Sequence, residues 1–248
     1  MAVHVYGVTT VDVVHPAPDG RQAARVRLVR DGGLAAIVSD VEADAPAGRK
    51  DLLAHAHVLE WFAERGTVLP MRFGVAMPSD EVVRQELLKE DHESLSGLLA
   101  TFDGLVQVTV QAFHLEEPAL REVLRRNTEL RQARDQVRGL PEGAARDREM
   151  QFGRAVADAL EDLKVEDRQT ILDWLAALSR AVAPNEVSGI HEVANVAFLV
   201  EREGRESFDK AVGTLGHQFG DRLRIRYVGP QPPYSFLDAA EEGTLQWD

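Results

Sequence analysis

The chain has 248 residues, 28 Lys and Arg against 41 Asp and Glu, a formal charge of −13, no cysteine and 44% hydrophobic residues. Such a chain is long enough for one large domain or two small ones with a real core. The missing cysteines exclude disulfides, thiolate metal sites and cysteine nucleophiles, and the acidic balance argues against nucleic-acid binding and against docking on anionic membranes.

The N-terminal run MAVHVYGVTTVDVV lacks the basic start, long apolar core and small-residue cleavage site of a signal peptide. No apolar run reaches the ~18 residues of a membrane helix, so a cytoplasmic protein is expected. In the first strand Val3, Val5 and Gly7 share one side, and His4, Tyr6 and Val8 the other. Residues 25–29 alternate, Asp31-Gly32-Gly33 offers a turn, and Leu34 to Val38 continues as an apolar run, which predicts a β-hairpin. Pro46 and Gly48 then break the chain. Leu52, Ala56, Leu59 and Ala63 recur at helical spacing between Lys50 and Arg65, with Gly66 as the stop. Thr67 to Met77 reads as one strand, and Pro70 inside it predicts an edge or a bulge. Ser79 is placed to cap a helix whose stripe carries Leu88, Leu95, Leu98 and Phe102. Asp103-Gly104 turns into a strand from Leu105 to Leu115, in which Val106, Val108 and Val110 alternate with Gln107, Thr109 and Gln111. Helices interleaved with strands suggest helices on one face of a small sheet.

From Glu116 to Val182 the period is helical. One helix carries Leu120, Leu124 and Val137 and ends at Gly139, Pro141 and Gly143; a second carries Phe152, Val156, Leu160 and Leu163; a third carries Ile171, Leu175, Leu178 and Val182. Strand character returns at Val193 to Val200, a helix stripe follows at Phe208, Val212, Leu215 and Phe219, and a strand with a basic row at Arg222, Arg224 and Arg226 comes next. Gly229-Pro230-Gln231-Pro232-Pro233 predicts an extended tail with Tyr234 and Phe236 packed. The expected fold is α+β with two domains: a ferredoxin-like unit over residues 1–115, then a helix-rich α/β unit over residues 116–248 with an extended, Pro-rich C-terminal tail. The helices of residues 116–182 are expected to separate two α/β units.

Reaction chemistry is sparse in this chain. There is no phosphate loop and no nucleophile elbow. His191-Glu192 begins like a zinc helix, but Asn195 stands where the second histidine belongs. His55 and His57 diverge on a helix and cannot grip one ion together. No cofactor or metal is expected. Arg72, set between Met71 and Phe73, has two readings: a structural ion pair with Glu60 or Glu64, or a partner-binding arginine.

Four segments, taken in order and spacing, resemble the GvpF/GvpL family of gas vesicle proteins. They are Val5-Tyr6-Gly7-Val8, Val68-Leu69-Pro70-Met71-Arg72-Phe73-Gly74, Asn195 to Val200, and Gly229-Pro230-Gln231-Pro232-Pro233-Tyr234-Ser235-Phe236. The sequence departs from the family pattern at Gln231, where tryptophan is frequent, and at Gln107, Thr109 and Gln111, where charges are common. The resemblance implies the two-domain architecture given above and an accessory or minor structural role in gas vesicle assembly, without catalysis. It implies a place in the gas vesicle and, as partner, the hydrophobic shell protein, with other accessory proteins beside it. Pro70, Met71, Arg72, Phe73, Tyr234 and Phe236 are the candidate partner-binding or structural residues. A small-molecule-binding regulatory module built on a ferredoxin-like domain is the alternative.

Overall fold

The computed structural model describes residues 2–10, 18–42, 47–138 and 146–246. Strand β1 (Ala2–Thr10) lies inside an antiparallel sheet ordered β2-β3-β1-β4. Strands β2 (Arg27–Asp31) and β3 (Leu34–Val41) make the expected hairpin. Gly32 and Gly33 take φ of 55° and 93°, the left-handed pair that suits a two-residue turn between twisted strands. The β1–β3 register shifts between Val5 and Gly7, so Tyr6 is an extra residue. That bulge puts Val8 in one cluster with Val3 and Val5, and leaves Tyr6 in the cluster on the other face.

Helix α1 (Arg49–Ala63) begins after Gly48, whose N–H donates to the Asp51 carboxylate at 3.0 Å. It packs Val58, Leu59 and Phe62 on the face that carries Tyr6 and Ile37. Strand β4 (Val68–Pro70) pairs with Thr9, Val8 and Gly7 of β1; the chain then leaves the sheet and returns as β5 (Ala76–Met77) beside Val3 and His4. The expected single strand from Thr67 to Met77 is therefore two pieces. Pro70 has no N–H to continue a ladder, and β4 is an outermost strand, as an edge proline requires. A Cβ at Gly7 would meet the Leu69 carbonyl oxygen at 2.5 Å, so this close crossing needs glycine.

The Ser79 hydroxyl accepts the Val82 N–H at 3.3 Å and caps α2 (Asp80–Val82). The helix continues as a π-helical turn over Val83–Lys89 and restarts as α3 (His92–Thr101). Val83, Leu87, Leu88, Leu99 and Phe102 pack on Val5, Val8, Ala36 and Val38. Helices thus cover both faces of this sheet, not one. The continuous apolar run of β3 is the sequence trace of that double burial.

The second sheet is ordered β7-β8-β6-β9 and starts with β6 (Leu105–His114). Its chain order is β6, α4 (Glu116–Arg126), α5 (Thr128–Arg138), α6 (Arg146–Ala176), β7 (Ala181–Pro184), β8 (Glu192–Glu201), α7 (Arg205–Phe219) and β9 (Leu223–Gln231). β6 pairs with β8 and β9, so a boundary after residue 115 would cut it from its own sheet. The alternation of a half-buried strand does not reveal which sheet it joins. The mid-chain helices accordingly run inside the second unit, from β6 to β7, and do not separate two units. The second and third expected helices are one, α6, of 31 residues, and Val182 lies in β7. The first expected helix is two, α4 and α5, parted at Asn127. The breaks expected at Pro46 and at Gly139, Pro141 and Gly143 lie outside the described residues.

Ile171 and Leu175 of α6, with Phe208, Val212, Leu215 and Phe219 of α7, cover Val106, Val108, Val110 and Phe198. Beside this core lies a buried ionic centre. Asp167 accepts from His114 Nε2 at 2.8 Å and from Arg222 at 3.0 and 2.8 Å, and Arg222 reaches Glu122 at 3.8 Å. Burial alone would raise the Asp167 carboxyl, but these donors hold it below its ordinary value.

The opposite face of the second sheet meets the first unit. Ala181, Ala197, Leu199 and Phe236 share a cluster with Val3, Val5 and Leu69. The Arg202 guanidinium donates to the Ala63 carbonyl at the end of α1. The tail is not extended throughout: after Pro233 it forms a 3₁₀ turn, Tyr234–Phe236, and a short helix α8, Leu237–Glu241. With Phe236 at 2% exposure, the turn is anchored in the shared core.

Candidate functional site

The segment that leaves the first sheet after Pro70 lies between α1 and the tail. Together they enclose an open groove of about 330 Å³, lined by Leu52, His55, Ala56 and Glu60 of α1, Met71, Arg72 and Phe73, and Gln231 and Tyr234. Of the six candidate residues, Met71, Arg72, Phe73 and Tyr234 meet here. Pro70 and Phe236 do not line it; both are buried beneath neighbouring backbone and core. Packing of Tyr234 and Phe236 was expected alike, but Tyr234 stays 41% exposed while Phe236 is buried.

Arg72 is exposed, and among the described residues it has no ion pair with Glu60, Glu64 or any other carboxylate. The structural pair expected for it is absent for a simple reason. Met71 and Val75 still bond to the β1 backbone, but residues 72–74 turn away from it, so the guanidinium reaches solvent and needs no buried partner. The half-buried Glu60 carboxyl is pushed up mainly by burial, with Glu64 adding to the shift and His57 opposing it. Burial, with the Glu60 charge nearby, likewise pushes the Tyr234 phenol above its ordinary value.

Under the groove lies a polar aromatic network that joins β1 to α1. His55 Nε2 donates to the Met71 carbonyl at 3.2 Å, and His4 Nε2 and His55 Nδ1 are 3.0 Å apart. Since a carbonyl only accepts, a neutral His55 carries its proton on Nε2. Its Nδ1 is then the acceptor for His4 Nε2–H. Phe73 stands edge-on to His55 at 5.5 Å and to His4 at 5.9 Å, and Tyr6 stacks on His55 at 5.3 Å. The Tyr6 hydroxyl accepts the Arg21 N–H at 2.6 Å and shares a 2.8 Å hydrogen bond with Ser39. Burial lowers the His4 imidazole to about 4, helped by His55 and Arg21, and burial also lowers His55. Both rings are neutral at pH 7. The floor of the groove is therefore uncharged, and Leu52, Ala56, Met71, Phe73 and Tyr234 give its walls apolar surface suited to apolar side chains, with Glu60, Arg72 and Gln231 as its polar members.

The sequence pattern did not show that His4 and His55, 51 residues apart, would touch. Nor did it join Leu52, Ala56 and Gln231 to the Pro70–Phe73 segment. Three of the residues that depart from the family pattern, Gln107, Thr109 and Gln231, form one cluster. Gln107 Nε2 donates to Thr109 Oγ1 at 3.3 Å, Thr109 Oγ1 donates to Gln231 Oε1 at 3.2 Å, and Gln107 Oε1 accepts the Ser235 N–H at 2.9 Å. Gln107 and Thr109 are thus tied to Gln231 and Ser235 of the tail and fix the tail wall of the groove, while Gln111 takes no part in these bonds.

The family model described as gas vesicle synthesis protein GvpL/GvpF matches residues 2–238. Gas vesicle protein F of Streptomyces sp. (strain CB03234) is 36% identical over 244 residues, which cover 96% of this chain and 100% of that protein. The crystal structure of the gas vesicle protein GvpF from Anabaena sp. PCC7120 superposes with a TM-score of 0.77 at 26% identity, covering 95% of this chain and 97% of that one. GvpF from Microcystis aeruginosa gives 0.72 at 26% identity, over 95% and 98%. Among the described residues no helix is long and apolar enough to cross a membrane.

Proposed function

Given that this chain belongs to the GvpL/GvpF family of gas vesicle synthesis proteins, we propose that it binds the hydrophobic shell protein, supports its nucleation and prevents its aggregation. The family is one of gas vesicle assembly proteins, not of enzymes. The observation that carries the proposal is the convergence of Met71, Arg72 and Phe73 with Tyr234 in one groove against α1. These segments are far apart in sequence, and both belong to the stretches that resemble the family. Leu52 at 49% exposure and Tyr234 at 41% leave large apolar area for a partner to cover. Covering the exposed half of the Leu52 side chain contributes about 1 kcal/mol. Arg72 stands at the rim with its charge free to meet a partner carboxylate. The chain's charge of −13 keeps a complex with an insoluble partner in solution.

Co-expression with the shell protein tests this. The wild-type chain raises the soluble fraction of the shell protein, without nucleotide or metal. Phe73→Asp or Leu52→Asp, checked for an unchanged circular dichroism spectrum, removes the effect. A soluble fraction that does not respond to the wild-type chain, or that responds equally to the groove variants, contradicts the proposal.

A further inference from the structure

We propose a second interaction surface at the other end of the second sheet, built on β6, β9 and the β7–β8 connection, that takes an acidic segment of a partner protein bearing a bulky apolar side chain. The register places it. Gln107 of β6 pairs with Gln231 beside the groove, whereas Phe113 of β6 pairs with Arg224. Those positions on β6 are about 20 Å apart along the strand. This surface is independent of the groove and does not require the shell-protein reading.

Ile190 is 80% exposed at the β7–β8 connection, and Val187 and Leu115 near it are 40% and 39% exposed. Phe113, Leu115, Ser188, Ile190, His191 and Arg224 line a recess of about 400 Å³. The Arg224 guanidinium lies 5.4 Å from the centre of the Phe113 ring. Arg224 and Arg226 alternate along β9, face the same way and are exposed. Among the described residues neither has a carboxylate in ion-pairing range. Arg222, the third member of the basic row, differs: it is held by Asp167 inside the fold. Two carboxylates also line the recess. Glu192 is buried and accepts from the Ser188 N–H at 2.6 Å and its hydroxyl at 3.2 Å, and Glu116 occupies the first turn of α4.

Charge decides the kind of partner. At −13 the chain repels an acidic partner over most of its surface. At this end the apolar side chains of Phe113, Leu115 and Ile190 lie beside two arginines that have no ion pair among the described residues. An acidic segment whose apolar side chain packs on Ile190 and Phe113 places its carboxylates on Arg224 and Arg226. Two arginines do not overcome −13 for a long polyanion, so the surface fits a polypeptide rather than a nucleic acid. With both surfaces occupied, the chain holds two components of one assembly within reach of each other.

Fluorescence anisotropy with the full chain and two synthetic peptides tests the proposal. One peptide alternates Glu and Asp with Leu and Ile; the other carries Lys at every acidic position. The acidic peptide binds at least about tenfold more tightly than the basic one, and added salt weakens it. Arg224→Glu with Arg226→Glu lowers its affinity by about tenfold or more, Ile190→Ser also lowers it, and Phe73→Asp in the groove leaves it unchanged. Should the charge reversal unfold the chain, Arg224→Gln with Arg226→Gln is the substitute, with the same direction expected. Equal binding of both peptides, or no loss in the arginine variants, overturns the proposal. So does displacement of the acidic peptide by oligo-dT, which assigns the surface to nucleic acid. Self-association in sedimentation that Ile190→Ser abolishes also overturns it, by assigning the surface to a second copy.

Discussion

Two sheets with the same strand order, β2-β3-β1-β4 and β7-β8-β6-β9, solve the problem of their inner polar groups in opposite ways. The first is covered on both faces and buries a neutral network of His4, His55, Tyr6 and Ser39. The second is helix-covered on one face and buries an ionic centre, in which Asp167 holds His114 and Arg222. A neutral network costs little to desolvate but fails when one ring takes a proton. An ionic centre survives mild acid but fails when one partner is removed. The free surfaces differ accordingly. The groove of the first sheet has an uncharged floor, whereas the open end of the second presents unneutralised arginines.

The largest expected effect breaks the ionic side of this contrast. Asp167→Ala leaves His114 without its carboxylate and Arg222 with only Glu122 at 3.8 Å, and costs about 3–5 kcal/mol in urea unfolding. A loss below about 1 kcal/mol would mean that the centre adds nothing beyond an exposed pair. Phe236→Ala tests the coupling of the two units. It opens a cavity in the core shared by both sheets, costs about 3–5 kcal/mol, and separates one unfolding transition into two. A single unshifted transition would show that the tail does not hold the units together.

The neutral side responds to pH. The folded His4 lies near 4 against an unfolded value of 6.5, so between these values the unfolded chain binds more protons. Its contribution is complete above pH 6.5 and falls away as the pH drops towards 4, by about 3 kcal/mol in all. The depressed Asp167 acts in the same direction but lower, its stabilisation being lost as pH falls below the ordinary carboxylate range. Urea unfolding of wild type and His4→Phe from pH 7.5 to 4.5 checks this: the slope flattens in the variant. An equal slope would move the titration to other groups. The smallest effect is at Arg72. Exposed and without an ion pair, Arg72→Ala changes stability by no more than about 0.5 kcal/mol, and a loss of several kcal/mol would reinstate the buried pair.

The elements were largely legible from the sequence, and their membership was not. Period and punctuation located the β2–β3 hairpin, α1, the Ser79 cap and the edge at Pro70, because each is a local property of the backbone. Local signals end there. Nothing within β6 tells it to join strands far later in the chain, so a boundary expected after residue 115 parts β6 from the strands it pairs with. The alternation of β6 marks a polar row without saying what covers it, and Gln107 is buried because the tail lies over it. Part of the groove was visible as Met71, Arg72, Phe73 and Tyr234. The α1 wall and the His4–His55 contact arise from tertiary packing alone.

The central claim is that the shell protein occupies the groove, and amide hydrogen exchange with and without shell protein tests it most directly. The account predicts new protection over residues 52–60, 71–75 and 231–236, with residues 187–191 unchanged. Protection confined to other surfaces, such as the exposed Trp174 of α6 and Leu178 just after it, or no protection at a ratio that solubilises the shell protein, would contradict it.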